Sequence, residues 1–343
     1  MASADTGTDT DRLSAEHAAL VTGCGLIDRS ERGKLVLTGS GAGEFLNGQV
    51  TNEVAALRPG EGCYAAFLTH KGKMLGDLRI LAVGEGDRGE QASAAGAPVK
   101  LLLDTERVAL QELFDMIRRF KIGYDVELHK RTLESGLLSL IGPASRDVAR
   151  RALEESTLTL GDAEHTHVPA RIASRGVRLV STDLGVDVLF AAPDAEPVRA
   201  ALEFAGAKPV SEQAGEVVRV EHGRPRYGID LDAGTIPQEA GLNERAVNFT
   251  KGCYVGQETV ARLFYKGKPN RHLRGLRLSA PVAAGSELLL DKRVVGHLSS
   301  SVLSPALGPI GLALVRREAQ PGDTLAVGEH GASAVVVELP FES

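Results

Sequence analysis

Cysteine is scarce in this chain. Cys24, Cys63 and Cys253 are the three among 343 residues, with no Cys-x-x-Cys pair and no even spacing. An odd, scattered set argues against a disulfide scaffold and for a reducing cytoplasm. It also argues against a zinc or iron–sulfur centre held by the chain's own cysteines, which takes about four ligands with local spacing. No apolar run approaches the roughly 18 residues that a membrane helix needs. A basic excess is missing too: 39 Lys and Arg face 45 Asp and Glu, a net charge of −6. No dedicated nucleic-acid surface is therefore expected, although Arg271, Arg274 and Arg277 form a local basic run. Met1–Asp11 lacks the basic-then-apolar pattern of a secretion signal, and residues 1–14 read as a disordered tail. No repeat of 20–50 residues is visible.

What is present fits about two or three domains. With 43% hydrophobic and 24% charged residues, the chain can bury a sizeable core. Strands are predicted at 34–37, 63–68, 74–82 and 99–104, with Thr69–Lys73 as a glycine-bearing hairpin turn. A short helix and polar turn fill 43–54. Residues 84–98, rich in Gly, Ala and acids, read as a flexible insertion. Val108, Leu110, Leu113, Phe114, Ile117 and Phe120 recur at three- and four-residue steps, which predicts an amphipathic helix over about 105–120. Strands and helices mix without βαβ alternation, so the fold class is α+β rather than a doubly wound parallel sheet. Further strands are predicted at 125–130, 137–141, 168–173, 177–182 and 186–190, and helices at 145–155, 196–206 and 212–222. From about Pro269, short apolar runs recur at about ten-residue intervals and predict a C-terminal β-barrel over 269–343.

The stretch 247–266 carries the sharpest chemical signal. In Lys251-Gly252-Cys253-Tyr254-Val255-Gly256-Gln257-Glu258 a cysteine sits between two glycines, just before a helix predicted from Gln257 to Leu263. A helix N-terminus and a nearby lysine both favour a thiolate. The other reading makes Cys253 a small buried hydrophobe. A second stretch, 219–240, gathers Arg219, Glu221, Arg224, Arg226 and Asp230 among Gly and Pro. It is either a solvated loop with surface ion pairs or a polar rim for a planar ligand, with Arg gripping a carboxylate. In Thr69–Asp77 the spacing of a phosphate loop is absent. Asp77 is either a buried functional carboxylate or an edge acid facing water. His165 and His167 have no third ligand nearby and read as a surface loop rather than a metal site.

KGCYVGQETVARL at 251–263, preceded by GRPRYGIDLDAGTIPQEAGL at 223–242, resembles the signature of the YgfZ-type folate-binding proteins. These are relatives of the glycine cleavage T-protein, an aminomethyltransferase. FLNGQVTNEV at 45–54 and HKGKMLGDLRI at 70–80 are similar to their N-terminal motifs. The resemblance runs in order from about Gly33 to Ser343, and the cysteine motif is its most specific part. It implies a T-protein-like three-domain ring with a central channel for tetrahydrofolate. Two interleaved α+β subdomains would occupy 15–268 and the barrel 269–343. It further implies an accessory role in making or repairing iron–sulfur clusters of client enzymes, a tRNA-modifying radical enzyme among them.

Cys253 is the key residue of that motif, with Lys251 and Asp77 as the other catalytic candidates. T-proteins carry two consecutive aspartates where this chain reads Gly76-Asp77. That departure weighs against aminomethyl transfer, so a folate-dependent one-carbon transferase is the alternative rather than the leading reading. Asp183 and Asp187 match the T-protein acids that hold the pterin. Arg219, Glu221, Tyr227 and Asp230 fall in an R-x-E-x-G…YG-x-D pattern that lines or braces the channel. Asp77, Arg226 and Gln257 complete the cofactor-binding candidates. The implied partners are a reduced folate and iron–sulfur client enzymes or assembly proteins, for a cytoplasmic monomer without direct contact to nucleic acid or membrane.

Overall fold

The structure is a computed structural model that describes residues 5–84, 99–155, 157–328 and 331–342. The predicted insertion at 84–98 lies, from residue 85 on, outside the described residues. The chain opens with α1 (Asp5–Thr22), β1 (Gly25–Asp28), β2 (Gly33–Thr38), α2 (Ala42–Asn47), β3 (Gly62–Leu68), β4 (Met74–Gly84) and β5 (Val99–Thr105). It continues with α3 (Leu110–Phe120), β6 (Glu127–Lys130), β7 (Ser135–Ile141), α4 (Ser145–Ala152), β8 (His167–Ile172), β9 (Arg175–Thr182) and β10 (Gly185–Ala191). Next come α5 (Ala195–Phe204), β11 (Lys208–Pro209), α6 (Glu212–Glu221), α7 (Asn243–Ala246) and α8 (Gln257–Lys266). The last part is all strand: β12 (Arg271–Leu278), β13 (Glu287–Leu290), β14 (Arg293–His297), β15 (Ser300–Ser304), β16 (Gly308–Arg316), β17 (Thr324–Val327) and β18 (Ala332–Val337).

Three sheets result. The first runs β3-β4-β5-β2-β6, antiparallel throughout. The second runs β11-β1-β7-β10-β9-β8. Because β1 pairs with β7 and β11, the chain lays a strand of the second sheet before it builds the first. The third, β14-β13-β17-β18-β12-β16-β15, forms the C-terminal barrel. Together they make a mixed α+β fold with a C-terminal β domain.

Period-two alternation explains how the first sheet is used. Ala65, Phe67, Leu78, Ile80 and Ala82 point to one side, into a core with Phe45 and Leu46 of α2 and Leu113 and Ile117 of α3. Ala66, Leu68 and Met74 point to the other side, against Leu231, Ala240, Ala246, Tyr254 and Val260. β4 is thus covered on both faces. Asp77 and Arg79 share the second face, and a charge placed there without a partner would be costly.

Two local expectations are corrected and one is met. Helix α1 begins at Asp5, inside the span read as a disordered tail. Leu13 and Leu20 pack with Ala214 and Val218 of α6, and this anchored face carries the helix N-terminally. The short helix and polar turn read over 43–54 are present: α2 ends at Asn47, whose Oδ1 accepts the Val54 N–H at 2.8 Å across the turn. Val108 and Phe120 are exposed, at 63% and 46%. A 3-10 turn over Arg107–Ala109 puts Val108 out of phase with the apolar face of α3. Among the described residues, no helix is long and apolar enough to cross a membrane.

Candidate functional site

Asp77 pairs with Ala66 across the β3–β4 hairpin and is 5% exposed. It is the buried carboxylate of the two alternatives. The Tyr64 hydroxyl donates to Asp77 Oδ2 at 2.6 Å, and Thr105 Oγ1 donates to the Asp77 carbonyl at 2.5 Å. Burial raises the carboxyl from an ordinary 3.8 to about 6, against the lowering influence of Tyr64 and Arg32. Burial, followed by the charge of Asp77, lifts the Tyr64 hydroxyl well above its usual range, so it remains a donor. The pair therefore presents a carboxyl group that exchanges its proton around pH 6.

Next to it, position 76 has no room for a side chain. Gly76 lies opposite Phe67 on β3. A Cβ there would sit 2.6 Å from the Phe67 ring and 2.7 Å from Ala109 Cβ. The missing second aspartate is thus built into the packing of this chain.

A chain of ion pairs flanks Asp77. Arg32 Nε donates to Asp104 Oδ1 at 2.7 Å, and Arg32 also pairs with Glu106. Arg79 pairs with Asp104 and, at 2.6 Å, with Asp187 Oδ2. Ser139 Oγ donates to Asp187 Oδ1 at 2.6 Å. Burial opposes the charge on Asp104, but Arg32 and Arg79 hold its pKa well below the usual carboxylate range. Asp187 is therefore committed to tying the first sheet to the second. Among the described residues, a cleft of about 620 Å³ opens beyond Arg79 and Asp104, floored by Val36, Leu81, Leu102 and Leu189.

On the other side of Tyr64 stand Arg245 and His165. The Arg245 guanidinium lies 5.4 Å from the Tyr64 ring centre. It pairs with Glu164 at 2.5 Å and with Asp183 at 3.6 Å. Arg224 Nε lies 2.7 Å from Asp183 Oδ2. The His165 ring is 6.5 Å from that of Tyr64, and burial lowers its pKa to about 4, which keeps it neutral. Three buried polar atoms here, His165 Nδ1, Arg245 Nε and Arg224 Nε, form no hydrogen bond among the described residues, the last facing Asp183 as an ion pair only. Tyr227 packs between the two apolar groups that flank β4. Burial, then Asp232 and Asp77, raise its pKa. Asp77 and Tyr227 thus stand beside Tyr64, and Asp183 is joined to it through Arg245.

The surface-loop reading of the histidines does not hold. His167 is 1% exposed, with Nε2 3.2 Å from the Glu61 carbonyl and Nδ1 2.8 Å from Arg178.

The cysteine loop is pinned from inside. Asn248 Oδ1 accepts the Thr250 and Lys251 N–H groups at 2.9 and 3.0 Å. The Lys251 ammonium donates to the carbonyls of Asn47, Val50 and Asn52 at 2.6, 2.9 and 2.7 Å. Burial pulls its pKa down to about 8, while the three carbonyls favour its charged form. Lys251 is thus a clamp on the α2–β3 connection. Tyr254, 8% exposed, fills the apolar group that also holds Ala66 and Leu68. Gly256, at φ +85°, starts α8. A Cβ there would lie 2.6 Å from the Thr69 carbonyl, so only glycine permits this approach. Cys253 is exposed, which overturns the buried-hydrophobe alternative. Cys24 and Cys63 differ: burial raises their thiols to about 11 and about 12.

The remaining candidates brace the fold. Arg219 Nη1 pairs with Asp230 at 2.7 Å, with the Asp230 side chain fully buried. Arg219 Nη2 donates to Ser300 Oγ at 2.6 Å. These contacts tie α6 to the barrel, so the solvated-loop reading fails for Arg219 and Asp230. Glu221 lies 2.9 Å from His17 Nε2 and accepts from Ser304 Oγ at 2.5 Å. Arg226 is surrounded by Glu106, Glu212 and Glu216. Gln257 is the first residue of α8 and half-buried, close in sequence to Cys253 rather than to Asp77.

The GCVT N-terminal domain family matches residues 6–251. The glycine cleavage T-protein C-terminal barrel domain matches residues 271–342. The chain belongs to the glycine cleavage T-protein family. It is 30% identical to an aminomethyltransferase of Streptomyces coelicolor over 350 residues, covering 95% of this chain and 88% of that protein. An aminomethyltransferase of Rubrobacter xylanophilus is 29% identical, covering 96% and 86%. The crystal structure of glycine cleavage system aminomethyltransferase T from Bartonella henselae superposes with a TM-score of 0.81 at 22% identity. It covers 96% of this chain and 89% of that one, which shows the shared fold. Membership of the T-protein family supports a folate-related function.

Sequence reasoning missed Tyr64, Arg32, Asp104, Arg79, Glu164, His165 and Arg245 as parts of the site. The one available signal was charge on strands predicted to be buried: Asp77 and Arg79 on β4 and Asp104 on β5, all 5–7% exposed.

Proposed function

We propose that this protein binds tetrahydrofolate and serves as a cytoplasmic, monomeric accessory factor for assembling or repairing iron–sulfur clusters in client enzymes, with Cys253 as its reactive group. The observation that carries this reading is the asymmetry of the cysteines. Two thiols are held high by burial, and the third is presented to solvent on a loop that Lys251 clamps to the core. A rigid base with an open thiol suits transient contact with sulfur or iron on another protein. Radical enzymes that modify tRNA are fitting clients.

The residues around Tyr64 fit a reduced pterin with an anionic tail. Asp77 would accept N–H groups of the ring. The unpartnered Arg245 Nε and His165 Nδ1 would meet its polar edge, and Arg224, 37% exposed where it pairs with Asp183, would answer a tail carboxylate. When bound, the folate supplies a carrier for one-carbon units. The Tyr64 hydroxyl keeps its proton on Oη and directs the Asp77 carboxylate toward the ligand. The one-carbon transferase alternative draws on the names of relatives, and the filled space at Gly76 weighs against it.

The test pairs two measurements. Tetrahydrofolate titrated calorimetrically should bind the wild type and lose at least tenfold in affinity to Asp77→Asn. Because the accepting form is the carboxylate, wild-type affinity should fall about tenfold per pH unit below pH 6. In a strain lacking the gene, Cys253→Ala should bind folate normally yet fail to restore an iron–sulfur client enzyme. Full rescue by Cys253→Ala would remove the thiol from the mechanism, and absence of folate binding would remove the cofactor.

A further inference from the structure

Only Val260 of α8 is buried. The other side chains divide by helical phase. Thr259 meets the β3–β4 turn, where a Cβ on Gly72 would lie 2.8 Å from Thr259 Cβ. Phe264 stacks on Phe249, with ring centres 3.8 Å apart and planes 17° apart. Tyr265 meets Phe264 at 82°, centres 5.0 Å apart. Glu258, Arg262, Tyr265 and Lys266 face outward, and all four are exposed. Phe264 and Tyr265 are 48% and 66% exposed. His70 and Lys71 at the turn and Lys268 beyond the helix are exposed as well.

On a chain of net charge −6, the helix that follows the cysteine loop thus carries two open aromatic rings and two exposed cations, Arg262 and Lys266, with the exposed Lys71 at the turn it packs against and Lys268 just beyond its end. Arg262, Lys266, Lys268 and Lys71 make no ion pair among the described residues. The arginines of the folate pocket, by contrast, are paired with acids.

We propose that this face of α8, together with the turn at His70 and Lys71, docks an acidic patch of a protein partner and brings that partner to Cys253. The inference rests on Cys253 being the reactive group. Charge complementarity sets the sign of the partner: carboxylates beside an apolar patch would match the cations that share this helix with Phe264 and Tyr265. Nucleic acid fits less well. Phe264 gives one ring face to Phe249 and meets Tyr265 at right angles, so the rings are a ridge rather than parallel platforms for successive bases.

The test uses the full-length chain in a strain lacking the gene, with an iron–sulfur client enzyme as the readout. Arg262→Glu/Lys266→Glu should lower rescue at least tenfold, close to the level of Cys253→Ala. Tetrahydrofolate affinity and the thermal midpoint should stay at wild-type values. Lys71→Glu, on the separate hairpin turn, should reduce rescue in the same direction and serves if the helix variant does not fold. Full rescue by these variants while Cys253→Ala fails would overturn the docking surface and leave the role of Cys253 intact. Full rescue by Cys253→Ala would overturn both. The purified wild type is also titrated with a single-stranded oligonucleotide and sedimented at micromolar concentration. Oligonucleotide binding abolished by the charge reversal would overturn the proposal in favour of nucleic acid. A dimer abolished by it would do so in favour of a second copy.

Discussion

Asp77 is 5% exposed beneath a tyrosine hydroxyl, whereas Cys253 is open to solvent and makes no hydrogen bond among the described residues. Both nevertheless lean on one hairpin. Ala66, the partner of Asp77, is two residues from Leu68, whose side chain abuts Gly256. That is about 7 Å at the rise of a strand. The comparison separates two kinds of order. Around Asp77 the side chains themselves are fixed, by ion pairs that link two sheets. Around Cys253 only the backbone is fixed, through Lys251, Tyr254 and Gly256, and the thiol is left free. A pocket that selects a ligand needs the first kind of order, and a group that meets other proteins in turn needs the second.

The sharpest way to break this contrast is to remove Arg79. Its guanidinium is shared by Asp104 and Asp187, and loss of the cation would leave both carboxylates without it in the interior. Arg79→Met should cost about 3–5 kcal/mol of stability. Cys253→Ser should change stability by less than about 0.5 kcal/mol. Urea denaturation of the two variants gives both numbers, and equal losses would dissolve the distinction.

Titration of Asp77 sharpens it further. Its pKa lies above its unfolded value, at about 6 against 3.8. The contribution is therefore fully present below about pH 4 and is lost as pH rises through 6. The unfolded chain releases this proton first, so stability falls by about 3 kcal/mol across that window. Asp77→Asn should abolish the fall. Subtracting its urea midpoints from those of the wild type between pH 4 and 7 isolates the effect. A flat difference would mean that the carboxyl is better solvated than its burial indicates.

How much of this was legible beforehand follows from where each partner sits. The β3–β4 hairpin could be read because its alternation and turn are local. Asp77 could not be assigned, since the cover over its face comes from residues 227–260. Arg32 reaches Asp104 across 72 positions and Arg79 reaches Asp187 across 108, separations that no local pattern encodes. Arg219 and Asp230 looked like surface charges because Ser299 and Ser300, which cover Asp230, belong to the barrel. The cysteine motif was visible as a string. Its geometry was not: the lysine beside the thiol turns inward to three carbonyls, while the cysteine stays outside.

That last point yields the smallest and most local prediction. Lys251→Met keeps the length of the side chain, but removes the ammonium that lies 5.2 Å from the Tyr254 ring centre and leaves the carbonyls of Asn47, Val50 and Asn52 without their donor. The cost should be about 2 kcal/mol, because three acceptors lose one donor group while the strands stay intact. Amide hydrogen exchange should quicken at 248–256 and at 47–52 and remain unchanged along β4. Exchange rising equally in β4 would show that the loop and the Asp77 pocket open as one unit. The thiol would then be positioned by the same interactions that hold the carboxylate, and the separation between a fixed pocket and a presented cysteine would have to be given up.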